Sequence, residues 1–346
     1  MKNELISIVI PMYNTAEYIE DCLRSVQMQS YPNFECVIVD DGSTDDSLCK
    51  VKTFMQSDLR FRLITQEHAG VSYAISNGIA NAHGEWLYFL DSDDWIDQEE
   101  LQHLYRLVKD NGCDMVASNY IIEAERSGVC SIVRFHGVVQ KSDFPDVFYP
   151  QFLCNGRYMG IVCGNTRGGK LVRKTLAAKN ARNQQGMVFA EDAILMLGIL
   201  CDCGSVCADT SHAGYHYRMH TASSMHNYGL SYVAHRADYA RKIRALYEEK
   251  GIAGDEKLEA NYGRFSLYNI LGSLQATHFD VKAIEAQQPQ AYTWIINTIR
   301  SLSRKEQCML GKKDLLLLWM LQHHMFGVLS ALYRINHFLR YTLKCR

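Results

Sequence analysis

The sequence predicts an α/β fold in which a mostly parallel sheet is flanked by helices and a helical C-terminal domain follows. Nearly continuous apolar runs of strand length recur through the first hundred residues, and amphipathic helical stretches separate them. From about residue 228 the pattern is helical almost to the end. Strands that are apolar on both faces and alternate with helices are typical of a parallel sheet covered on both sides.

The individual elements follow from hydrophobic periodicity. Strands are predicted at 5–10, 34–39, 61–65 and 86–90, and helices at 16–29, 44–55 and 70–82. Asp97 with Glu100 resembles a capping box that opens a helix ending near Asn111. Short strands are predicted over 113–140 and 205–218, with a turn near Thr210. These patterns divide the chain into 1–110, 111–225 and a helical domain at 226–346.

Composition limits the classes of function. The chain has 346 residues, and 47% of them are apolar, which is enough for a large core. Its formal net charge of −2 argues against a nucleic-acid partner. The 12 cysteines are scattered, which favours reduced thiols, and the N-terminus lacks the pattern of a signal peptide. We therefore expect a cytoplasmic protein.

Polar clusters stand directly after three of the predicted strands. PMYN follows the first strand, DDGSTDD the second and DSDDW the fourth. Ligands bind beyond the carboxyl ends of the strands in such sheets, so these clusters are expected to meet at one edge. The aspartates of DSDDW repel one another unless a cation, a donor or water relieves them. A short aspartate run is also typical of a solvated turn.

A second segment suggests a different chemistry. Residues 164–170, GNTRGGK, match the G-x-x-x-x-G-K pattern of a phosphate-binding loop. Leu171 stands where that loop needs Ser or Thr to bind magnesium. A P-loop phosphotransferase therefore stays open as an alternative.

The clusters in their order also resemble a known family. SIVIPMYN, then CVIVDDGSTDDS, then a GVS…GIA…GEWLYFLDSDDW run, are similar to the opening half of family 2 glycosyltransferases, which have the GT-A fold. The resemblance covers roughly residues 5–100 and extends more weakly through Lys170, the Glu191-Asp192 pair and residues 215–224. It implies an inverting, metal-dependent glycosyltransferase of the bacterial polysaccharide-biosynthesis type.

The resemblance implies how a nucleotide-sugar donor would be bound. Asp93 would bind Mn²⁺ or Mg²⁺, Asp91 would touch the ribose or a water of the metal, and Ser92 lies between them. Hard oxygen ligands favour these metals, which neutralise a leaving diphosphate. Asp41 would accept the imide hydrogen of the base. Pro11 and Tyr13 would line the other side of the base. Together Asp41, Pro11 and Tyr13, the base-site residues, imply a UDP-sugar.

Further roles follow from the weaker part of the resemblance. Asp192 would be the base that takes the proton of the acceptor hydroxyl, and Glu191 would aid the binding of acceptor or donor. A cap of the helix is the alternative role of this pair. Lys170 would reach a donor phosphate or the acceptor, and a plain surface lysine is the alternative. Arg218 and His220 would meet the diphosphate or complete the metal shell.

The sequence departs from the family pattern at one point. Ile75 stands where the family has an arginine that helps to hold the nucleotide, and Ser76 stands where it has an asparagine. The departure therefore bears on the identity of the base and on the affinity for the donor. A non-catalytic relative that binds nucleotide-sugars is therefore a further alternative.

The C-terminal helices raise the question of partners. Residues 315–333 are long and apolar, but Gln322, His323 and His324 interrupt them, and basic residues flank the stretch. Buried packing within the C-terminal domain or a homodimer contact is one interpretation of this pattern. The pattern also suits a helix lying in the interface of an anionic membrane, which would give 312–346 peripheral contact. A membrane-spanning helix is the third alternative. The acceptor is expected to be a saccharide or a lipid-linked saccharide.

Overall fold

The computed structural model describes residues 4–124, 128–130, 133–154, 162–220, 229–301 and 312–332. The chain divides into two compact units. The first comprises Met1–Val147 and Gly160–Ser223, and the second comprises Phe148–Met159 and Ser224–Arg346. The segment that begins at Phe148 groups with the second unit, which no pattern in the sequence had indicated.

Twelve strands lie in the described part of the first unit. In chain order they are β1 (Ile6–Met12), β2 (Phe34–Asp40), β3 (Phe61–Thr65), β4 (Trp86–Phe89), β5 (Trp95–Ile96), β6 (Met115–Ser118), β7 (Tyr120–Glu123), β8 (Gly128–Cys130), β9 (Gly137–Gln140), β10 (Lys170–Arg173), β11 (Ser205–Asp209) and β12 (Tyr215–Arg218). They form an eight-stranded sheet with the order β3-β2-β1-β4-β10-β6-β11-β9 and a four-stranded sheet with the order β5-β12-β7-β8.

The large sheet is mostly parallel, as the sequence predicts. Within it only β9 and β10 run against the other strands. Every residue of β1 and β2 is buried, because helices cover both faces of the sheet. The four predicted strands of the first hundred residues are confirmed.

The described helices of the first unit are α1 (Ile19–Gln27), α2 (Ser47–Met55), α3 (Val71–Asn81), α4 (Glu100–Asn111), α5 (Phe144–Val147), α6 (Lys174–Asn180) and α7 (Glu191–Asp202). The predicted capping box of α4 is wrong. The helix begins at Glu100 and has no side-chain cap, since Asp97 instead pairs with His216 of β12 at 3.1 Å.

The second unit is helical where it is described. Its helices are α8 (Leu230–Glu249), α9 (Glu256–Ala276), α10 (Val281–Gln287), α11 (Pro289–Ser301) and α12 (Lys312–Gln322). Asp255 caps α9 by accepting from the N–H groups of Lys257 and Leu258. Within the residues the structure describes, no helix is both long enough and apolar enough to cross a membrane.

Candidate active site

The turn after β1 is hydrogen-bonded to the segment after β2 on one side and to the turn after β4 on the other. The Asn14 N–H donates to Ser43 Oγ at 3.1 Å, and the Thr15 N–H donates to Ser47 Oγ at 2.9 Å. On the other side, Thr15 Oγ1 donates to Ser92 Oγ at 3.0 Å. The predicted convergence of the three polar clusters at one edge of the sheet is therefore confirmed.

Asp94 is the buried member of the acidic run. Its carboxyl group accepts hydrogen bonds from the Tyr215 hydroxyl and, at 2.8 Å, from the Arg218 N–H. Burial and the neighbouring charges of Asp91 and Asp93 raise the pKa of Asp94 to about 8. Asp94 therefore ties the acidic run to β12, while Asp91 and Asp93 are less buried.

Asp93 lies beside His220 and Arg218, as the sequence predicts for residues of one site. His220 Nε2 is 2.8 Å from Asp93 Oδ2, and the imidazole ring stacks on Tyr18 with centroids 4.8 Å apart. Arg218 Nε donates to the Asp93 carbonyl oxygen at 2.9 Å. Burial and then the charge of Asp91 raise the pKa of Asp93. Relief of this repulsion is what a bound cation would supply.

These residues form only part of a metal shell. In the described ranges, no group of three or more His, Cys, Asp or Glu side chains is arranged to hold a metal ion. Asp93 and His220 nevertheless offer an oxygen and a nitrogen side by side, and His220 Nδ1 is buried without a hydrogen-bond partner among the described residues. This donor set fits a metal whose remaining ligands come from a diphosphate and water.

Arg167 joins the acidic run to the second acidic group. Its guanidinium, whose side chain is 5% exposed, donates to Asp91 Oδ1 at 3.1 Å and to Glu191 Oε1 at 3.4 Å. Burial lowers the pKa of Arg167, but the carboxylates of Asp91, Asp192 and Glu191 together raise it above its ordinary value. Arg167 therefore stays charged and holds the start of α7 beside the turn after β4.

The acidic pair stands in the first turn of α7. Ala190, which precedes the pair, adopts a left-handed conformation with φ of 57°, so the chain turns sharply into the helix. Burial and the charge of Glu191 raise the pKa of Asp192 to about 7, while Arg167 lowers it. A carboxyl group with this pKa exchanges its proton near neutral pH, which suits a general base.

The predicted base-site residues lie at the ends of β1 and β2. Pro11 is buried within β1, and Tyr13 is 43% exposed just beyond it. Asp41 follows β2 and is 2% exposed. Ser92 is buried against Thr15. The structure therefore brings the base-site residues and the acidic run to the same edge of the sheet.

Lys170 is enclosed instead of facing the edge. It begins β10, is 0% exposed, and donates to the carbonyl oxygens of Thr166 at 2.6 Å and Gly168 at 3.3 Å. Burial lowers the pKa of Lys170 to about 8. A P-loop opens a helix and aims its lysine at phosphates, whereas this segment leads into an antiparallel strand. The structure does not favour the P-loop alternative.

The two departures from the family pattern lie in α3. Ile75 is 0% exposed, and Ser76 Oγ donates to the carbonyl oxygens of Ser72 at 2.8 Å and Ala181 at 3.1 Å. Both side chains are therefore part of the packing of α3. In the described part of the chain, the arginines that contact the acidic run are Arg167 and Arg218.

Sequence reasoning missed Arg167, Tyr215 and His68. Arg167 lies in GNTRGGK, a segment that matches the pattern of a phosphate-binding loop. Its one usable signal is an arginine among glycines directly after the apolar run 159–163. Tyr215 contacts Asp94 only because β12 pairs with β5, beside the acidic run. His68 stacks on Tyr13, and the spacing of 55 residues between them gives no sign of this contact.

Comparisons with known proteins identify the family of the chain. The family profile described as "Glycosyl transferase family 2" matches residues 7–179, half of the chain. The chain is 39% identical over 127 residues to glycosyltransferase GlyA of Streptococcus pneumoniae, covering 37% of this chain and 18% of that protein. It is 30% identical over 231 residues to the putative glycosyltransferase EpsH of Bacillus subtilis, covering 66% and 64%. The chain thus spans less than two thirds of either relative.

The fold also has a counterpart among solved structures. The 1–349 fragment of TarS from S. aureus, crystallised in complex with UDP, superposes with a TM-score of 0.69 at 19% identity. The match covers 96% of this chain and 91% of that one. The same fragment in complex with UDP-GlcNAc gives the same TM-score. The expected GT-A fold with a helical C-terminal part is confirmed.

Proposed function

Because the chain belongs to glycosyl transferase family 2, we propose that it moves a sugar from a UDP-sugar to a hydroxyl group, with inversion at the anomeric carbon. The observation that carries the proposal is the ion-pair bridge through Arg167. One guanidinium contacts Asp91 in the acidic run and Glu191 beside Asp192. A donor diphosphate bound at the acidic run and an acceptor hydroxyl bound at Asp192 would therefore lie close together, because the single side chain of Arg167 spans the two groups.

The donor proposal is supported by the base site. Tyr13 is a half-exposed aromatic residue that suits a base, and the buried carboxylate of Asp41 lies close by, since His68 stacks on Tyr13 and is 2.9 Å from Asp41 Oδ2. A buried acceptor selects a base that presents an N–H there, as the imide of uracil does. The TarS fragment, which shares the fold, was crystallised with UDP and with UDP-GlcNAc.

Asp93 and His220 would hold Mn²⁺ or Mg²⁺, with Asp91 bound to the ribose or to a water of the metal. When bound, the ion would neutralise the charge that develops on the leaving diphosphate. Arg218 supports the same end of the site: its guanidinium lies over the Trp95 ring, 4.5 Å from the centroid, and bonds to the Asp93 carbonyl.

Asp192 would take the proton of the attacking hydroxyl. Its position in the first turn of α7 stabilises the ionised form, because the helix N-terminus carries partial positive charge. Glu191, held by Arg167, would orient the acceptor or the donor sugar. A single displacement assisted by one base inverts the anomeric carbon, so no covalent intermediate is needed.

The proposed setting is the assembly of a surface polysaccharide or glycolipid, with a saccharide or lipid-linked saccharide as acceptor. Peripheral membrane contact through 312–346 would bring the enzyme to such an acceptor at the cytoplasmic face. Leu316 and Trp319, on one side of α12, are 58% and 48% exposed. Residues 333–346 carry four basic and no acidic side chains, which would attract anionic lipid.

The test is calorimetric titration of UDP with and without Mn²⁺, on the wild type and on Asp93→Ala. We expect manganese-dependent binding that is lost in the variant. Absence of UDP binding to the wild type under every condition would contradict the proposed donor. A non-catalytic relative would bind UDP but would release no UDP from any UDP-sugar in the presence of acceptor. Asp192→Asn, which should bind UDP and lose transfer by roughly 10²–10⁴-fold, provides the matched inactive protein.

A further inference from the structure

The carboxylate of Asp41 is surrounded by nitrogen atoms of its own chain. Its Oδ1 accepts from Gln66 Nε2 at 2.7 Å and from the Ala69 N–H at 2.9 Å. Its Oδ2 accepts from the Gly70 N–H at 2.8 Å and lies 2.9 Å from His68 Nδ1, which donates to the backbone carbonyl oxygen of Asp41 at 3.1 Å. The imidazole therefore stands against Oδ2, and a base can bond to this oxygen from the same side only if the imidazole moves.

The three groups that donate to the carboxylate are fixed in place. The N–H groups of Ala69 and Gly70 belong to the turn that opens α3, where Gly70 has a φ of 99°. Gln66 is held from its other side, since its Oε1 accepts from Asn77 Nδ2 at 2.9 Å. His68 differs, because its side chain is 55% exposed. The imidazole of His68 is therefore the group beside Asp41 that can leave.

The same imidazole covers the ring of Tyr13. The two rings stack with centroids 4.1 Å apart and an angle of 24° between their planes. At this separation no third ring fits between them. The loop that carries Tyr13 is pinned, because Asn14 bonds through its N–H to Ser43 and through its Oδ1 to the Thr44 N–H. A base that stacks on this face of Tyr13 must displace His68.

We propose that His68 is an internal stand-in for the pyrimidine of the donor and sets the selectivity of the base site. Its flat ring lies on Tyr13 and its Nδ1–H faces Asp41, which are the two contacts proposed above for uracil, so the inference rests on the proposed function. Uracil replaces both contacts, because it has a flat ring and an imide N–H. Cytosine replaces only the stacking, because the corresponding ring nitrogen is an acceptor and cannot donate to the carboxylate.

This arrangement has a consequence for affinity. A ligand whose site is occupied by the protein itself binds more weakly, in proportion to the fraction of molecules in which the site is open. Removing the imidazole should therefore strengthen the binding of UDP. The gain should be smaller for CDP, which uses the freed ring face of Tyr13 but not the freed acceptor on Asp41.

The experiment is calorimetry of UDP and CDP, with Mn²⁺ present, on the full-length wild type, His68→Ala, His68→Phe and His83→Ala. His83 is the matched control, because it too is an exposed histidine paired with a buried carboxylate, Glu35, at 3.2 Å. We expect His68→Ala to bind UDP about tenfold more tightly, with a smaller gain for CDP. His68→Phe, which keeps a ring on Tyr13 without the N–H, should lie between wild type and His68→Ala.

The possible results separate the two proposals. UDP binding to His68→Ala that equals or falls below that of the wild type overturns the stand-in role, while the proposed donor stands. Equal gains for UDP and CDP overturn the selectivity. UDP binding to none of the four proteins overturns the proposed donor and this role together. Unchanged thermal melting of the variants excludes misfolding as a cause.

Discussion

Two opposing influences set the proton affinity of Asp192. Burial and the adjacent Glu191 raise its pKa, and Arg167 lowers it, with a net value of about 7. The shift is upward, so the protonated form, which cannot act as a base, predominates below pH 7. With Asp192 as the proposed base, the rate should fall about tenfold per pH unit below this value and level off above it.

The first prediction concerns Arg167→Met. Without the guanidinium, the influence that lowers the pKa of Asp192 is gone, so the midpoint of the pH–rate profile should move upward. The measurement is kcat at saturating donor, over roughly one to two pH units on each side of the midpoint, that is, from about pH 5.5 to about pH 9. Arg173→Met is the control, since Arg173 pairs with Asp114 at 2.8 Å and should leave the midpoint unchanged. A midpoint that stays near 7 in Arg167→Met would contradict this account of Asp192.

At the same scale, the site was predictable in part. Asp41, Asp91 and Asp93 follow predicted strands, so the topology alone brings them together. The partners Arg167 and His68 lie in loops, and the path of a loop depends on local bonds that hydrophobic periodicity does not encode. For Lys170 the position in the sequence was misleading, because it predicts a ligand contact. The Lys170 side chain is buried instead and donates to the carbonyl oxygens of Thr166 and Gly168.

At the scale of elements, helix α3 lies very close to the large sheet at Gly78. A Cβ at Gly78 would lie 2.4 Å from Val9 Cγ1 and 3.4 Å from Val39 Cγ2. Both valines are 0% exposed in central strands, so they have little room to move. The helix therefore approaches the sheet at a distance that only glycine permits.

The second prediction follows from this contact. Gly78→Ala should lower the free energy of unfolding by about 1–3 kcal/mol through overpacking, although alanine favours the helix by up to about 1 kcal/mol. The measurement is urea denaturation. Gly128→Ala, where a Cβ would meet no atom within 4 Å, is the control. A Gly78→Ala protein as stable as the control would show that α3 shifts without cost.

At this scale the sequence predicted the strands of the parallel half and most helices, because these elements are long and regular. It did not predict β10 within GNTRGGKLVR, since a strand of four residues that directly follows two glycines carries little periodicity. The start of α4 was also misplaced, because Asp97 bonds to His216, which lies 119 residues further along the chain. Long-range contacts of this kind override local signals.

For the whole molecule, the third prediction is that the protein floats with vesicles rich in phosphatidylglycerol. Leu316→Glu with Trp319→Glu should abolish flotation, because burying two carboxylates in the membrane interface is costly. Leu59→Glu is the control, as Leu59 is 96% exposed but lies in the first unit. Equal flotation of the double variant and the control would contradict membrane contact through this region.

The position of β10 between β4 and β6 has a consequence for synthesis on the ribosome. One edge of β4 is completed only by residues 170–173, about eighty residues later in the chain. At about 5–20 residues per second, the nascent protein keeps that edge open for on the order of ten seconds. An unpaired strand edge is a template for aggregation, so pauses in translation between residues 90 and 170 should lower the yield of folded protein.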